Sequence, residues 1–226
     1  MFKYQWHDLL IVGDSFCAYR SNSYDWPQLV SLQLTGLEYS QNRLPRGQGF
    51  GGAAWWSTRR CLLDEIAKYR PRVIVICHTD PYRIPSDDNL SLNTNSVIEN
   101  LNCIQVNGKI VTTTLPRKVG KAGVLYYNHL FSGNFHYWAQ QQWFLELDRI
   151  LVSQDIERVI HLFCFDGYFY QFSRGVSVRD VLINHALRSG GTNHFTEQVS
   201  SALAANLVTL INEYPGHGTE YPGSIM

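Results

Sequence analysis

Short apolar runs separated by amphipathic stretches organise this chain. Leu9-Leu10-Ile11-Val12, Arg72-Val73-Ile74-Val75-Ile76-Cys77 and Arg158-Val159-Ile160-His161-Leu162-Phe163 are continuous, mostly aliphatic and too short for helices, the pattern of strands buried on both faces. Leu37 to Ser40 is a further short candidate. Between these runs, Asp25-Trp26-Pro27 opens a helix whose apolar side is filled by Leu29, Leu32 and Leu34 until Gly36 stops it. Trp55, Leu62, Ile66 and Tyr69 recur at helical spacing up to Pro71, and Tyr137, Phe144, Leu147 and Leu151 mark one face of a long helix. A helix around Val178 to Leu187 and a last one with Val199, Leu203, Leu207 and Ile211 in register follow. Alternation of strand and helix predicts an α/β fold with a parallel sheet covered on both faces.

One stretch breaks the alternation. After Asp80 the chain is polar and irregular, with Pro81, Pro85, Asp87 and Asp88, and within it Cys103-Ile104-Gln105-Val106 and Lys109-Ile110-Val111-Thr112 flank Asn107-Gly108. Asn-Gly between two such runs is a strong hairpin signal, so a β-hairpin insertion spanning about 81–134 is expected after the third strand. The expected domain is 1–213. Glu-Tyr-Pro-Gly occurs at 213–216 and again at 220–223, and residues 214–226 are too rich in Pro and Gly for a helix, which predicts an extended, exposed tail that can act as a docking strap.

Composition narrows the classes. A chain of 226 residues with 45% hydrophobic positions can bury one sizeable core. Basic and acidic residues balance at 19 each, so no global field draws nucleic acid or an anionic membrane, and neither is an expected partner. Cys17, Cys61, Cys77, Cys103 and Cys164 are odd in number and lack a C-x-x-C pair, which reads as reduced core thiols. Lys3, His7 and Asp8 surround too short an apolar run for a signal peptide. The expected site of synthesis is a reducing cytoplasm, with exit by lysis or on a particle if the chain acts outside.

The first apolar run stops on Gly13-Asp14-Ser15, which puts a hydroxyl at a strand tip, where catalytic groups of open α/β sheets collect. His194 opens the last amphipathic stretch and can supply the base that a serine nucleophile needs.

On these residues the chain resembles the SGNH (GDSL-type) hydrolases, which hydrolyse esters, often acetyl or acyl groups on carbohydrates or lipids, on a three-layer, flavodoxin-like α/β/α sandwich. The resemblance runs from Gly13-Asp14-Ser15 to His194, and Ser15, in Val12-Gly13-Asp14-Ser15-Phe16, matches the family nucleophile. Gly49-Phe50-Gly51-Gly52-Ala53-Ala54 is similar to the family's second block, which implies that the Gly52 N–H helps bind the oxyanion. The third block, normally Gly-x-Asn-Asp, falls at Cys77-His78-Thr79-Asp80-Pro81. In one register Thr79 stands at the oxyanion-binding Asn; in the other Asp80 does, and only a protonated carboxyl could donate there. The alternative for His78 and Asp80 is a turn cap before Pro81. The last block, Asp-x-x-His, reads Gly191-Thr192-Asn193-His194, with glycine at the acid position. The resemblance therefore implies a Ser-His dyad, or a modified triad with Asp166, Asp180 or a backbone carbonyl orienting His194. For Asp166 the alternative is a plain Asp-Gly turn.

Other motifs point elsewhere and are weaker. Gly47 to Gly52 satisfies G-x-G-x-x-G but follows no strand directly and has no acid about 20 positions on, so no dinucleotide is expected. No P-loop motif occurs, and the histidines, including His129, His136 and His217, show no metal-binding spacing, so neither cofactor nor metal is expected. Trp55-Trp56, Tyr126-Tyr127, Trp138, Trp143 and Tyr168-Phe169-Tyr170 suit ordinary packing; Tyr126 and Tyr127 could also stack on sugar rings or form a subunit contact. The leading expectation is an SGNH-like serine esterase acting on a small ester or acylated saccharide. The rival is a non-catalytic SGNH-like structural or recognition module, similar to uncharacterised bacteriophage proteins, in a virus particle, meeting protein partners through its insertion and tail.

Overall fold

A computed structural model of the chain describes residues 3–13, 17, 25–37, 54–85, 91–92, 101–106, 109–114, 117–165, 169–179, 195–213 and 219–220. In chain order these form β1 (Leu9–Val12), α1 (Trp26–Thr35), α2 (Trp55–Tyr69), β2 (Val73–His78), β3 (Ile84–Pro85), β4 (Ser91–Leu92), β5 (Leu101–Val106), β6 (Lys109–Thr114), α3 (Arg117–His129), α4 (Gly133–Ser153), β7 (Arg158–Phe163), β8 (Val176–Val178), α5 (Glu197–Glu213) and β9 (Thr219–Glu220). A single 3-10 turn, Trp6–Asp8, leads into β1.

The main sheet has the order β1-β2-β7-β8-β9 and every neighbouring pair is parallel. Leu9 lies opposite Val73, and Val73 opposite Arg158, so the three apolar runs stand side by side. Because side chains alternate along a strand, each run feeds both faces. Leu9, Ile11, Val73, Val75, Cys77, Ile160 and Leu162 pack with Trp26, Val30 and Leu34 of α1 and Leu203, Leu207 and Ile211 of α5. Leu10, Val12, Ile74, Ile76, Val159 and Phe163 pack on the other side with Leu62 and Ile66 of α2 and Phe144, Leu147 and Leu151 of α4. The chain is an α/β protein, its parallel sheet covered by helices on both faces.

Local chemistry explains the helix limits. Asp25 is extended at the N-cap of α1, Pro27 sits in the first turn where no N–H is needed, and Gly36 ends the helix at φ 70°, its N–H returning 2.9 Å to the Leu32 carbonyl. Val30 and Leu34, both buried, each contribute roughly 1.5–3 kcal/mol through the apolar surface they remove from water. In α4 the Ser132 hydroxyl accepts the Phe135 N–H at 3.3 Å, capping the helix start.

The structure departs from the sequence expectations in several places. Val178, expected to begin a helix, ends β8: Val176 and Val178 point into the α1–α5 core while Gly175, at φ 98°, brings the chain against Val159. Residues 180–187 of that expected helix lie outside the described residues. Helix α3 was not anticipated, because Gly120 and Gly123 fill buried positions where larger apolar residues would have set a period. Leu32 and Tyr137, placed on apolar faces, are exposed; His136, Gln140 and Trp143 extend the buried side of α4. Of the short strand candidate only Leu37 is described, as a bend. Strands β5 and β6 pair antiparallel from Leu101 opposite Thr114 to Val106 opposite Lys109, flanking Asn107-Gly108, which lies outside the described residues. In the tail, Thr219 and Glu220 join the sheet beside β8, so part of the segment expected to be exposed supplies the last strand.

Candidate active site

The carboxyl ends of β1, β2 and β7 lie together, and glycine is required where they meet. Gly13 leaves β1 at φ 154°, and a Cβ there would stand 2.5 Å from both Cβ and the carbonyl oxygen of Cys77. Beneath this approach three thiols gather. The Cys77 thiol hydrogen-bonds with those of Cys164 and Cys17, and burial first, then these neighbours, pushes it far up. None of the three is in a disulfide, and all are buried. Each stands two positions from an expected site residue: Cys17 after Ser15, Cys77 before Thr79, Cys164 before Asp166. Phe165, next to Asp166, and Phe195, next to His194, pack against the same core cluster. Ser15, Gly52, Asp166, Asp180 and His194 themselves lie outside the described residues.

Thr79 and Asp80 are described, and they differ. The Asp80 carboxylate accepts the Tyr82 backbone N–H at 2.9 Å, the geometry of an Asx turn that starts the chain around Pro81. The Thr79 hydroxyl, in a residue 4% exposed, accepts a hydrogen bond of 3.0 Å from the guanidinium of Arg83, itself 8% exposed. The Arg83 guanidinium also lies 5.1 Å from the ring centroid of Phe165, tying the end of β2 to the end of β7.

Helices α3 and α4 hold this turn by its carbonyls. Gln140 donates to the Thr79 carbonyl at 2.8 Å and Tyr127 to that of Tyr82 at 3.0 Å. The His136 ring is bonded to the Pro81 backbone, where only a carbonyl is available, so the ring donates; its Nε2 then accepts from the Tyr126 hydroxyl. Burial lowers His136, and burial followed by the nearby Asp80 charge raises Tyr127. Tyr126 and Tyr127 thus act as clamps on the 79–83 turn. Arg83, Gln140 and His136 were missed in the sequence because each is one polar residue in an aperiodic or amphipathic stretch, with no spacing that marks a partner.

On the opposite face of the sheet sits a second polar group. His161 Nε2 is 3.1 Å from the Arg174 carbonyl, which can only accept, so that nitrogen carries the proton. Its Nδ1 therefore accepts from His78 Nε2 at 3.0 Å. Phe144, Phe163 and Phe172 enclose the pair, with Phe172 stacked 3.6 Å from His161. Asp148 of α4 anchors the same segment, accepting from the Ser173 N–H and hydroxyl at 2.8 Å each. Among the described residues no group of three or more His, Cys, Asp or Glu side chains could hold a metal ion, and no helix is long and apolar enough to cross a membrane.

No protein-family model, curated protein or solved structure matches the chain.

Proposed function

We propose that the chain is an SGNH-like serine ester hydrolase, on a three-layer α/β/α sandwich with a hairpin insertion, that cleaves an acyl ester through an acyl-enzyme. The observation that carries this reading is the meeting of Cys17, Cys77 and Cys164 near the carboxyl ends of parallel strands, where α/β enzymes build their sites; in sequence each is two positions from Ser15, Thr79 or Asp166. Ser15 attacks the acyl carbonyl while His194 takes its proton and passes it to the leaving alcohol; water, activated by the same ring, then frees the serine. The N–H groups of Gly52 and Ser15 and the hydroxyl of Thr79 bind the oxyanion, and Asp166 orients His194. Of the two registers, Thr79 is favoured, because Asp80 is engaged in its own turn. A small ester or acylated saccharide fits this chemistry.

The test is labelling by a fluorophosphonate and turnover of p-nitrophenyl acetate, each beside Ser15→Ala and His194→Ala. Labelling and turnover lost in both variants support the reading; wild-type protein that neither labels nor turns over sinks it.

A second reading is a non-catalytic recognition or structural module, such as a component of a virus particle. It is favoured by large apolar side chains left exposed around the α3–α4 corner, among them Leu125, Leu130, Phe135 and Trp138. Its mark would be an assembly that dissolves when Leu130 and Trp138 are changed to Ser while the fold persists; unchanged assembly size would count against it.

A further inference from the structure

The Thr79–Arg83 bond has a direction. A guanidinium has donors and no acceptor, so at 3.0 Å the Thr79 oxygen must accept and its own proton must point away from Arg83. A hydroxyl that accepts from a cation is polarised, and its O–H becomes a stronger donor than one bonded to water or to a neutral group. The arginine is itself fixed. Its backbone N–H meets the Asp80 carbonyl at 3.4 Å, its guanidinium lies over Phe165, and almost none of its surface reaches solvent. On the other side, Gln140 holds the Thr79 main chain through its carbonyl. The hydroxyl oxygen is therefore held in place and its O–H strengthened before any substrate arrives, as a group that stabilises developing charge must be.

We propose that Arg83 is a positioning residue: it acts through Thr79, orienting and polarising the hydroxyl that donates to the oxyanion of the ester being cleaved. This rests on the hydrolase reading. Arg83 makes no bond to the reacting atoms, and its charge replaces, through Thr79, the stronger neutral donor that an asparagine supplies at this place in the family pattern.

The experiment is a kinetic cycle on the full chain with p-nitrophenyl acetate, using Thr79→Val, Arg83→Gln, Arg83→Lys and both double variants, with circular dichroism confirming each fold and Ser15→Ala as control. Thr79→Val should lower kcat about 100-fold at little cost in KM, the usual effect of losing one oxyanion donor. Arg83→Gln should lower kcat on the order of 10-fold with KM little changed, Arg83→Lys should recover most of that, and neither arginine variant should slow Thr79→Val further. Two results overturn the inference while leaving the hydrolase standing: a folded Arg83→Gln with wild-type kcat, or losses that multiply in the double variants. If Arg83→Gln does not fold, Arg83→Met takes its place in the same comparison. Absence of any Ser15-dependent turnover or labelling in the wild type overturns both.

Discussion

Acidification should destabilise this protein through two histidines that the fold keeps neutral. Burial holds His161 down from 6.5 to about 3 and lowers His78 well below 6.5, with the neighbouring His161 adding to the effect on His78. The tautomers require neutrality too: a proton on His161 Nδ1 would face the proton on His78 Nε2 and break the bond between them. In the unfolded chain both rings titrate near 6.5. Because the folded values are depressed, the stability from these rings is complete above about 6.5 and falls away as pH drops toward the folded values. About pH 5 lies roughly 1.5 units below the pKa of an unfolded histidine, and at ~1.4 kcal/mol per unit His161 favours unfolding there by about 2 kcal/mol, with His78 acting in the same direction. That is a substantial part of the roughly 5–15 kcal/mol that holds a typical domain together. Urea unfolding followed by tryptophan fluorescence near neutrality and at about pH 5 measures the loss, and the His78→Phe/His161→Phe double variant should show it reduced by about 2 kcal/mol or more. Other histidines, His136 included, are common to both proteins and cancel. A double variant that loses as much stability on acidification as the wild type would refute the reasoning.

Three further outcomes are expected. Gly13→Ala should lower stability by about 1–3 kcal/mol or more, since its Cβ would fall 2.5 Å from Cys77, and Gly175→Ala should behave alike with a Cβ 2.4 Å from the Val159 carbonyl; unchanged melting temperatures would contradict both. Asp148→Ala should cost roughly 3 kcal/mol by stripping the acceptor from the Ser173 N–H and hydroxyl, and limited proteolysis should then cut within 169–179 first, whereas a wild-type digestion pattern would count against that anchoring role. Lys3 first, with Arg72 and Tyr4, holds Glu157 down to about 2, so its contribution is present above the ordinary carboxylate value and lost only as pH falls toward 2. Because that cluster is largely solvated, Glu157→Gln should change stability by less than about 1 kcal/mol near neutrality, and a larger, salt-insensitive loss would show the cluster to be more than a surface ion pair.

Continuous apolar runs were legible because a parallel strand buried on both faces must be apolar throughout, and β1, β2 and β7 fall where those runs predicted. The last strands were not, since β8 is three residues and β9 two, and a Val-Ser-Val triplet is too short for periodicity to separate strand from helix. Of the proposed site, Ser15 and Thr79 were suggested by the resemblance of their short blocks, whereas Arg83 is defined by a bond across a turn and by a ring beyond the end of another strand. No spacing encodes that. The cysteines show the difference well: sequence placed them in the core, but only the sheet order brings Cys17, Cys77 and Cys164 to one point.

The alternation of β2 separates two roles along one strand. Cys77 faces the α1–α5 core with the thiols under the candidate site, and Thr79, two positions on, bonds an arginine that lies over Phe165 of that same cluster. His78 points the other way, into the α4 side, where it bonds His161 and packs among Phe144, Phe163 and Phe172. On the proposed hydrolase reading, chemistry and acid sensitivity therefore occupy opposite faces of the sheet, one residue apart in sequence. If the hydrolase reading is right, the His78→Phe/His161→Phe variant at neutral pH should keep its esterase kcat within a few-fold while losing the acid response, and Arg83→Gln should do the reverse. A kcat that falls with the histidines and not with the arginine would mean that the face assigned to support is the one that reacts.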